Sequence, residues 1–490
     1  MTVPDAFVVD GRTLSCDDVV RVATGDVPVR VAPEAMAAAH LAWETAGAAS
    51  SARPVYGRTT GVGANKDAVV GTGGPGEHDL RLLRSHAAGV GELLEPAVVR
   101  AAMLIRLNQL AAGGSGIHPR FVTALETALR TGAVPTVHDG GSIGTGDLAT
   151  LAEIALALTG HVPWARGAVR AVALEPGDAL AFMSSNAVTL ARAVLATDEL
   201  NRLLGSAHTV TALSYCALAG SPEAFAEEVH ARRPHPGSVR SAARLRELLW
   251  HEGDLSPGRR IQDPFGLRAF PQVHGPALDA VDRLRSTLEI EVNAAAENPL
   301  IDVVGGGVFH HGLFSTAYVA LALDQVRAAV HHVAELSAAR LGDLMEPEFT
   351  GLAPFLAAGP EGSSGLMILE YLTHDALGRL RHAAGPVTLG TSVISRGVED
   401  HASFTPHAAR STAASAGSYR TVLACELVAA VRVLRLAGTA PRGRLLAARF
   451  ADLDASLPDV REDHRVGDDV HAAGAAIDRW GRSAQAGVSP

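Results

Sequence analysis

Apolar residues return every three or four positions over runs far longer than a strand, and that period constrains the fold more than any other feature. Phe314, Tyr318 and Leu321, then Val326, Val330, Val333 and Leu336, predict one long helix closing near Leu341-Gly342. Val99, Met103, Arg106 and Leu110 predict another that stops at Gly113-Gly114. Leu423, Leu427, Val431 and Leu434 predict a third ending at Gly438. Aromatic residues are only 4% of the chain, and strand-like runs are few. Extended segments are expected only near Ala6–Val9 and in loops. Helices this long bury a stripe against neighbours, so an all-α fold built on a long-helix bundle is predicted. From about Leu457 the chain turns polar and is expected to pack loosely.

Several function classes drop out. The 490 residues are 47% hydrophobic and 19% charged, as in a globular protein with a large core. No run of about 18 apolar residues stands out, so no membrane span is expected. The first residues are acidic and lack a basic stretch before an apolar core, unlike a secretion signal. Cys16, Cys216 and Cys425 are too far apart for a disulfide framework or a CxxC metal site, and a reduced, cytoplasmic location is expected. A net charge of −10 without a basic patch argues against nucleic acid and anionic membranes as partners. Lys66 is the only lysine, so any lysine Schiff base would have to use it. His310-His311 and His331-His332 are adjacent pairs, which point apart on a helix, and no metal site is expected.

Glycine-rich breaks fall at 61–76, 140–146, 305–307 and 359–365. The first lacks GK[ST], so it is no phosphate loop; it predicts either a mobile surface loop or a lid over a site. The second lies at the start of GSIGTGDLATLA, Gly141 to Ala152. There Asp147 is expected to cap the helix opened by Leu148.

That stretch resembles the GSVGASGDLAPLA segment of the aromatic amino-acid ammonia-lyases, the histidine ammonia-lyase group. In that family the Ala-Ser-Gly tripeptide becomes an internal electrophile, methylidene-imidazolone. Here the segment is one residue shorter and Gly144-Thr145-Gly146 stands in its place. Five further regions are similar to the family in family order, between about Val55 and His407. They are Tyr56–Gly63 (YGRTTGVG), Ser85–Gly91 (SHAAGVG), Gly177–Ala187, Gln262–Arg268 (QDPFGLR), and the group Glu297–Leu300, Gly312–Ser315 and Val398–His401.

The resemblance implies roles. Tyr56 would be the base for a β-proton, with its pKa depressed by nearby positive charge or dipoles; otherwise it is an aromatic at the core boundary. Ser85 and His86 would select a polar or imidazole-like substrate group. Met183 stands where the family has an asparagine supporting the electrophile, and Asn186 is a shifted candidate for that task. Phe265 replaces a tyrosine. Arg268 would grip the substrate carboxylate, against a plain structural ion pair. Phe314 would be a pocket wall, and Glu399 would face the amine end. Val398 replaces a glutamine.

The retained residues serve binding and proton transfer, whereas the losses fall on the electrophile and its support. The standard electrophile is therefore not expected, and any cofactor would be an analogue derived from Gly144, Thr145 and Gly146. The predicted function is acid–base chemistry, independent of that electrophile, on an amino-acid-like, carboxylate-bearing and possibly histidine-like substrate. Two alternatives remain: an ammonia-lyase using a Thr145-derived electrophile, and a non-catalytic binding paralogue. The resemblance also implies a homotetramer with each site assembled from several chains. It suggests an N-terminal active-site region over 1–200 and a helix bundle over 201–490.

Overall fold

The computed structural model describes residues 6–25, 27–70, 74, 76–250, 258–458 and 463–486. Helices dominate, and the strands form three two-stranded sheets. Phe7–Val9 pairs in parallel with Val29–Val31, in the register Phe7↔Val29. Val134–Pro135 with Trp164–Arg166, and Leu300–Asp302 with Gly307–Phe309, are antiparallel.

Two compact units are built. The first comprises Met1–Asp198, Leu284–Leu323 and Pro386–Arg410; the second comprises Glu199–Arg283, Asp324–Gly385 and Ser411–Pro490.

At the heart of the first unit runs the helix Pro96–Ala111, buried at every position from Val99 to Ala111. Around it pack Cys16–Thr24 and Arg120–Thr131. Its Arg106 forms a buried ion pair with Glu297 at 2.7 Å and donates to the carbonyls of Ala181 and Phe182. A buried guanidinium is tolerable only when its donors are spent in this way. The same contacts hold the short helix Asp178–Met183 in place. Asp79 caps that helix, accepting from the N–H groups of Gly177 and Ala179.

The second unit is a helical core. Arg340 meets Glu426 through two bonds, at 2.6 and 2.8 Å, with both side chains fully buried. Ser214 adds a hydroxyl to the same carboxylate. Leu423, Leu427, Val431 and Leu434 are all buried, as their spacing predicts.

Several expectations need correction. The long helix runs Ala317–Met345, and Phe314 precedes it. Starting the period at Phe314 therefore sets the wrong phase. Tyr318 and Leu321 are 80% and 61% exposed, and Val319, Ala320 and Leu323 are buried in their stead. Asp147 does not cap the helix Leu148–Leu158 with its side chain. Its carboxylate turns to Thr189, accepting from that residue's N–H and hydroxyl at 2.7 Å each, and so caps the following helix Ala187–Ala217. The stretch beyond Leu457 forms the helix Val466–Ala486, whose Ala473, Ala476, Ile477 and Trp480 are buried at helical spacing. Residues 459–462 and 487–490 lie outside the described residues. One helical stretch, Asp178–Ala217, is apolar and long enough to cross a bilayer, but 89% of its most apolar window is buried in the protein.

Candidate active site

Within the first unit lies a cavity of about 310 Å³. Six of the residues singled out in the sequence line it: Tyr56, His86, Thr145, Met183, Phe314 and Glu399. They come from six separate stretches of chain. The central helix and its Arg106 contacts fix Met183, and a tight turn closed by the Ile394–Glu399 bridge fixes Glu399. The glycine-rich stretch expected to be a mobile loop or a lid contributes a short helical turn, Gly63–Asn65, to the lining; residues 71–73 and 75 lie outside the described residues.

The hydroxyl of Tyr56 accepts the Gly63 N–H at 2.7 Å. Burial pushes the Tyr56 phenol up; the Gly63 N–H pulls it down, and Glu399 adds to the rise. The expected depression by nearby positive charge is therefore not found, because among the described residues no lysine or arginine is seen to act on Tyr56 and burial outweighs one amide dipole. Burial likewise raises the Glu399 carboxyl, with His86 opposing. The ring of His310 stands edge-on to Tyr56 at 6.3 Å. His86 Nδ1 lies 2.9 Å from the Leu82 carbonyl. A carbonyl only accepts, so Nδ1 carries a hydrogen, which in the neutral ring leaves Nε2 as the acceptor.

The altered turn is held from several directions. Gly144 and Gly146 have φ of +94° and +112°, the left-handed region that favours glycine. Ser403 Oγ donates to the Gly144 carbonyl at 3.2 Å, and Ser142 Oγ donates to that of Gly146 at 3.2 Å. The Phe404 N–H donates to Ile143 at 2.9 Å. A methyl group at position 144 would stand 2.1 Å from Ser403 Oγ. Met183 offers a thioether to the cavity, which donates no hydrogen bond.

Other expected site residues lie elsewhere. Ser85 does not line the cavity; its hydroxyl turns back to the Leu82 carbonyl at 3.0 Å, one turn earlier in the helix, and lies 3.2 Å from His86 Nδ1. Asn186 donates to the Phe314 carbonyl at 2.6 Å and is not among the residues that line the cavity. Phe265 and Arg268 belong to the second unit and line an open depression of about 490 Å³ there. The Arg268 guanidinium sits 4.3 Å from the Phe265 ring centre, and its Nε donates to the Asp263 carbonyl. The cavity in turn has polar lining residues that the sequence did not single out as site residues: Ser184, Asn298 and Ser395. Asn298 and Ser184 lay within recognised regions, Glu297–Leu300 and Gly177–Ala187; no motif or spacing signal marks Ser395.

The profile of the family described as aromatic amino acid lyase matches residues 14–455. A histidine ammonia-lyase of Anaeromyxobacter dehalogenans is 34% identical, over 97% of this chain and 99% of that protein. The chain belongs to the aromatic amino acid lyase family. It is an enzyme of that kind, and its fold agrees. The ergothioneine-degrading enzyme ergothionase of Treponema denticola, solved with desmethyl-ergothioneine sulfonic acid, superposes with a TM-score of 0.92 at 26% identity, covering 97% of this chain and 99% of that one. Tyrosine aminomutase of Streptomyces globisporus gives 0.91 at 28% identity, with 98% of each chain covered. The predicted all-α lyase fold is therefore the fold of this family.

Proposed function

We propose that this chain is a carbon–nitrogen lyase that eliminates an amine from a histidine-like carboxylate substrate by acid–base chemistry, without the standard electrophile. One observation carries the proposal. Tyr56 and Glu399 share a cavity with Thr145, and an alanine methyl at position 144, which the standard tripeptide requires, would stand 2.1 Å from Ser403 Oγ on a left-handed backbone. The residues present do not fit that group.

Tyr56 would act as its phenolate, whose oxygen the Gly63 N–H stabilises, and on taking the β-proton would become the neutral phenol. Glu399 would face the nitrogen end of the substrate. His86 would present Nε2 as an acceptor to an imidazole or thioimidazole N–H. The lining contains no lysine or arginine, so the cavity suits a cationic group. The carboxylate grip would come from Arg268 of another copy in a homotetramer.

As the Cβ–H and Cα–N bonds break, a carbon–carbon double bond forms and the amine leaves with its electron pair. A primary amine leaves poorly without help, whereas a quaternary ammonium leaves as a neutral amine. Ergothioneine is a trimethylammonium betaine of thiohistidine, and the likeness to an enzyme that degrades it supports a substrate of this type. Incubation with L-histidine, its trimethyl betaine and ergothioneine, followed by product mass spectrometry, tests this. An α,β-unsaturated acid with trimethylamine is expected from a betaine. Urocanate from L-histidine would overturn the proposal.

A second reading is a histidine ammonia-lyase with a Thr145-derived electrophile. It is favoured by the 34% identity to such an enzyme and by the placement of Thr145 in the cavity between two left-handed glycines. It requires an intact mass lower by two waters, about 36 Da.

A further inference from the structure

We propose that Ser395 is a positioning residue for Tyr56: it holds the Gly63-Ala64 peptide so that the Gly63 N–H meets the tyrosine oxygen, and it keeps its own hydroxyl hydrogen for the substrate. This rests on the reading of Tyr56 as the base.

Two consecutive amides are involved. The Gly63 N–H donates to Tyr56 at 2.7 Å, and the Ala64 N–H donates to Ser395 Oγ at 2.9 Å. Two side-chain oxygens, from stretches of chain more than 300 residues apart, thus fix one short turn. A hydroxyl that accepts still has a hydrogen to give. Among the described residues no hydrogen bond uses it, and Ser395 lines the cavity.

The turn that carries Ser395 is built for placement. Ser395 and Arg396 have φ of +51° and +56°, the left-handed region that non-glycine residues rarely adopt. The Ile394 N–H to Glu399 carbonyl bond, at 2.8 Å, closes this turn around them. Ser395 and Glu399 are therefore placed together. Gly63 marks how closely the two segments approach: with φ +57°, a Cβ there would meet Ser395 Oγ at 2.5 Å. The charged or titratable groups facing Tyr56 are Glu399 and His310, and His86 faces Glu399.

The chain has five tyrosines, which makes a direct test practical. Burial pushes Tyr215 and Tyr419 far up, out of the working range, and Tyr318 and Tyr371 are exposed. In a Tyr318→Phe/Tyr371→Phe background, phenolate absorbance therefore follows Tyr56. Ser395→Gly keeps the left-handed backbone and removes the acceptor; Ser395→Asn tolerates that backbone and keeps a side-chain oxygen. Ser395→Gly should raise the Tyr56 midpoint by about one pH unit. It should also lower kcat about tenfold with less effect on KM, on the substrate found by product analysis. Ser395→Asn should restore most of both. An unmoved midpoint in Ser395→Gly, or an equal shift in both variants, would overturn the proposal. The titration needs no turnover. If Tyr56→Phe stays active while Ser395→Gly still shifts the midpoint, it is the base reading that fails and the coupling that stands.

Discussion

Tyr56, Gly63, Ser395 and Glu399 are tied to one another by short hydrogen bonds and a closed turn, whereas Thr145, Leu148 and Met183 meet the same cavity with one unbonded hydroxyl and apolar surface. The carbonyls on either side of Thr145 are bonded to serines behind it. The two sets of lining residues thus differ in what they can do. On the reading of Tyr56 as the base, the first is preorganised to move a proton. The second centres on a turn whose Gly144 and Gly146 carbonyls are already bonded. Proton transfer can therefore persist in this fold when the turn changes, because none of the bonds that place Tyr56 passes through the turn.

The largest expected effect breaks or upholds that contrast. Tyr56→Phe should lower kcat/KM by about 10²–10⁴-fold, the usual worth of a positioned acid or base, with an unchanged thermal midpoint. Thr145→Ala should cost no more than about fivefold, the worth of one hydrogen bond. If steady-state kinetics showed the two variants equally crippled, the turn would be chemically active and the contrast would collapse.

Gly144→Ala probes the turn itself. Its φ of +94° and the 2.1 Å approach to Ser403 Oγ should together cost about 1–3 kcal/mol, seen as a lower thermal midpoint. Adding Ser403→Ala should recover the steric part and leave the backbone part. Full stability of Gly144→Ala alone would mean that the turn has room for the standard tripeptide.

The helices were legible because burial imposes a period on the sequence. Val99 through Leu110, and Leu423 through Leu434, needed nothing else. The period failed at Tyr318 and Leu321, since a run read from outside the helix carries the wrong phase. Six site residues were legible through the family's motifs, not through spacing. Ser395 was not, because its role depends on a left-handed turn and an amide from a remote segment, neither of which leaves a local pattern. The Asp147 carboxylate shows the same limit: a cap is defined by geometry, and the neighbouring helix took it. Arg268 has the right flanking motif, yet its chain segment lies in the second unit.

Carboxylates near the two sets sharpen the comparison through pH. Asp178 opens the helix that carries Met183, and burial raises it to about 7. A group raised in the folded state favours its protonated form there. Its contribution is complete below the unfolded pKa of about 4 and is lost as pH climbs through the folded value. Asp139 behaves oppositely: burial would raise it, but Arg192 and Arg410 win and hold it low, so its contribution is lost on acidification. Stability measured by denaturant between pH about 4 and 7 should fall more gently in Asp178→Asn than in the parent. An unaltered slope would show that Asp178 is already ionised.

Ser85→Ala should have the smallest effect. Ser85 and His86 are neighbours in a motif implied to act together, but only His86 lines the cavity. The Ser85 hydroxyl is exposed and bonded to the Leu82 carbonyl, where water can replace it. Its loss should change kcat/KM by no more than about twofold, the range of an ordinary surface substitution. His86→Ala, in contrast, removes an acceptor from the cavity and should raise KM most for substrates with an imidazole N–H. A tenfold loss of substrate preference in Ser85→Ala would place its hydroxyl at the substrate in the assembled enzyme. The dyad would then act as a unit, and the division between lining and supporting residues drawn from a single chain would have to move by one position.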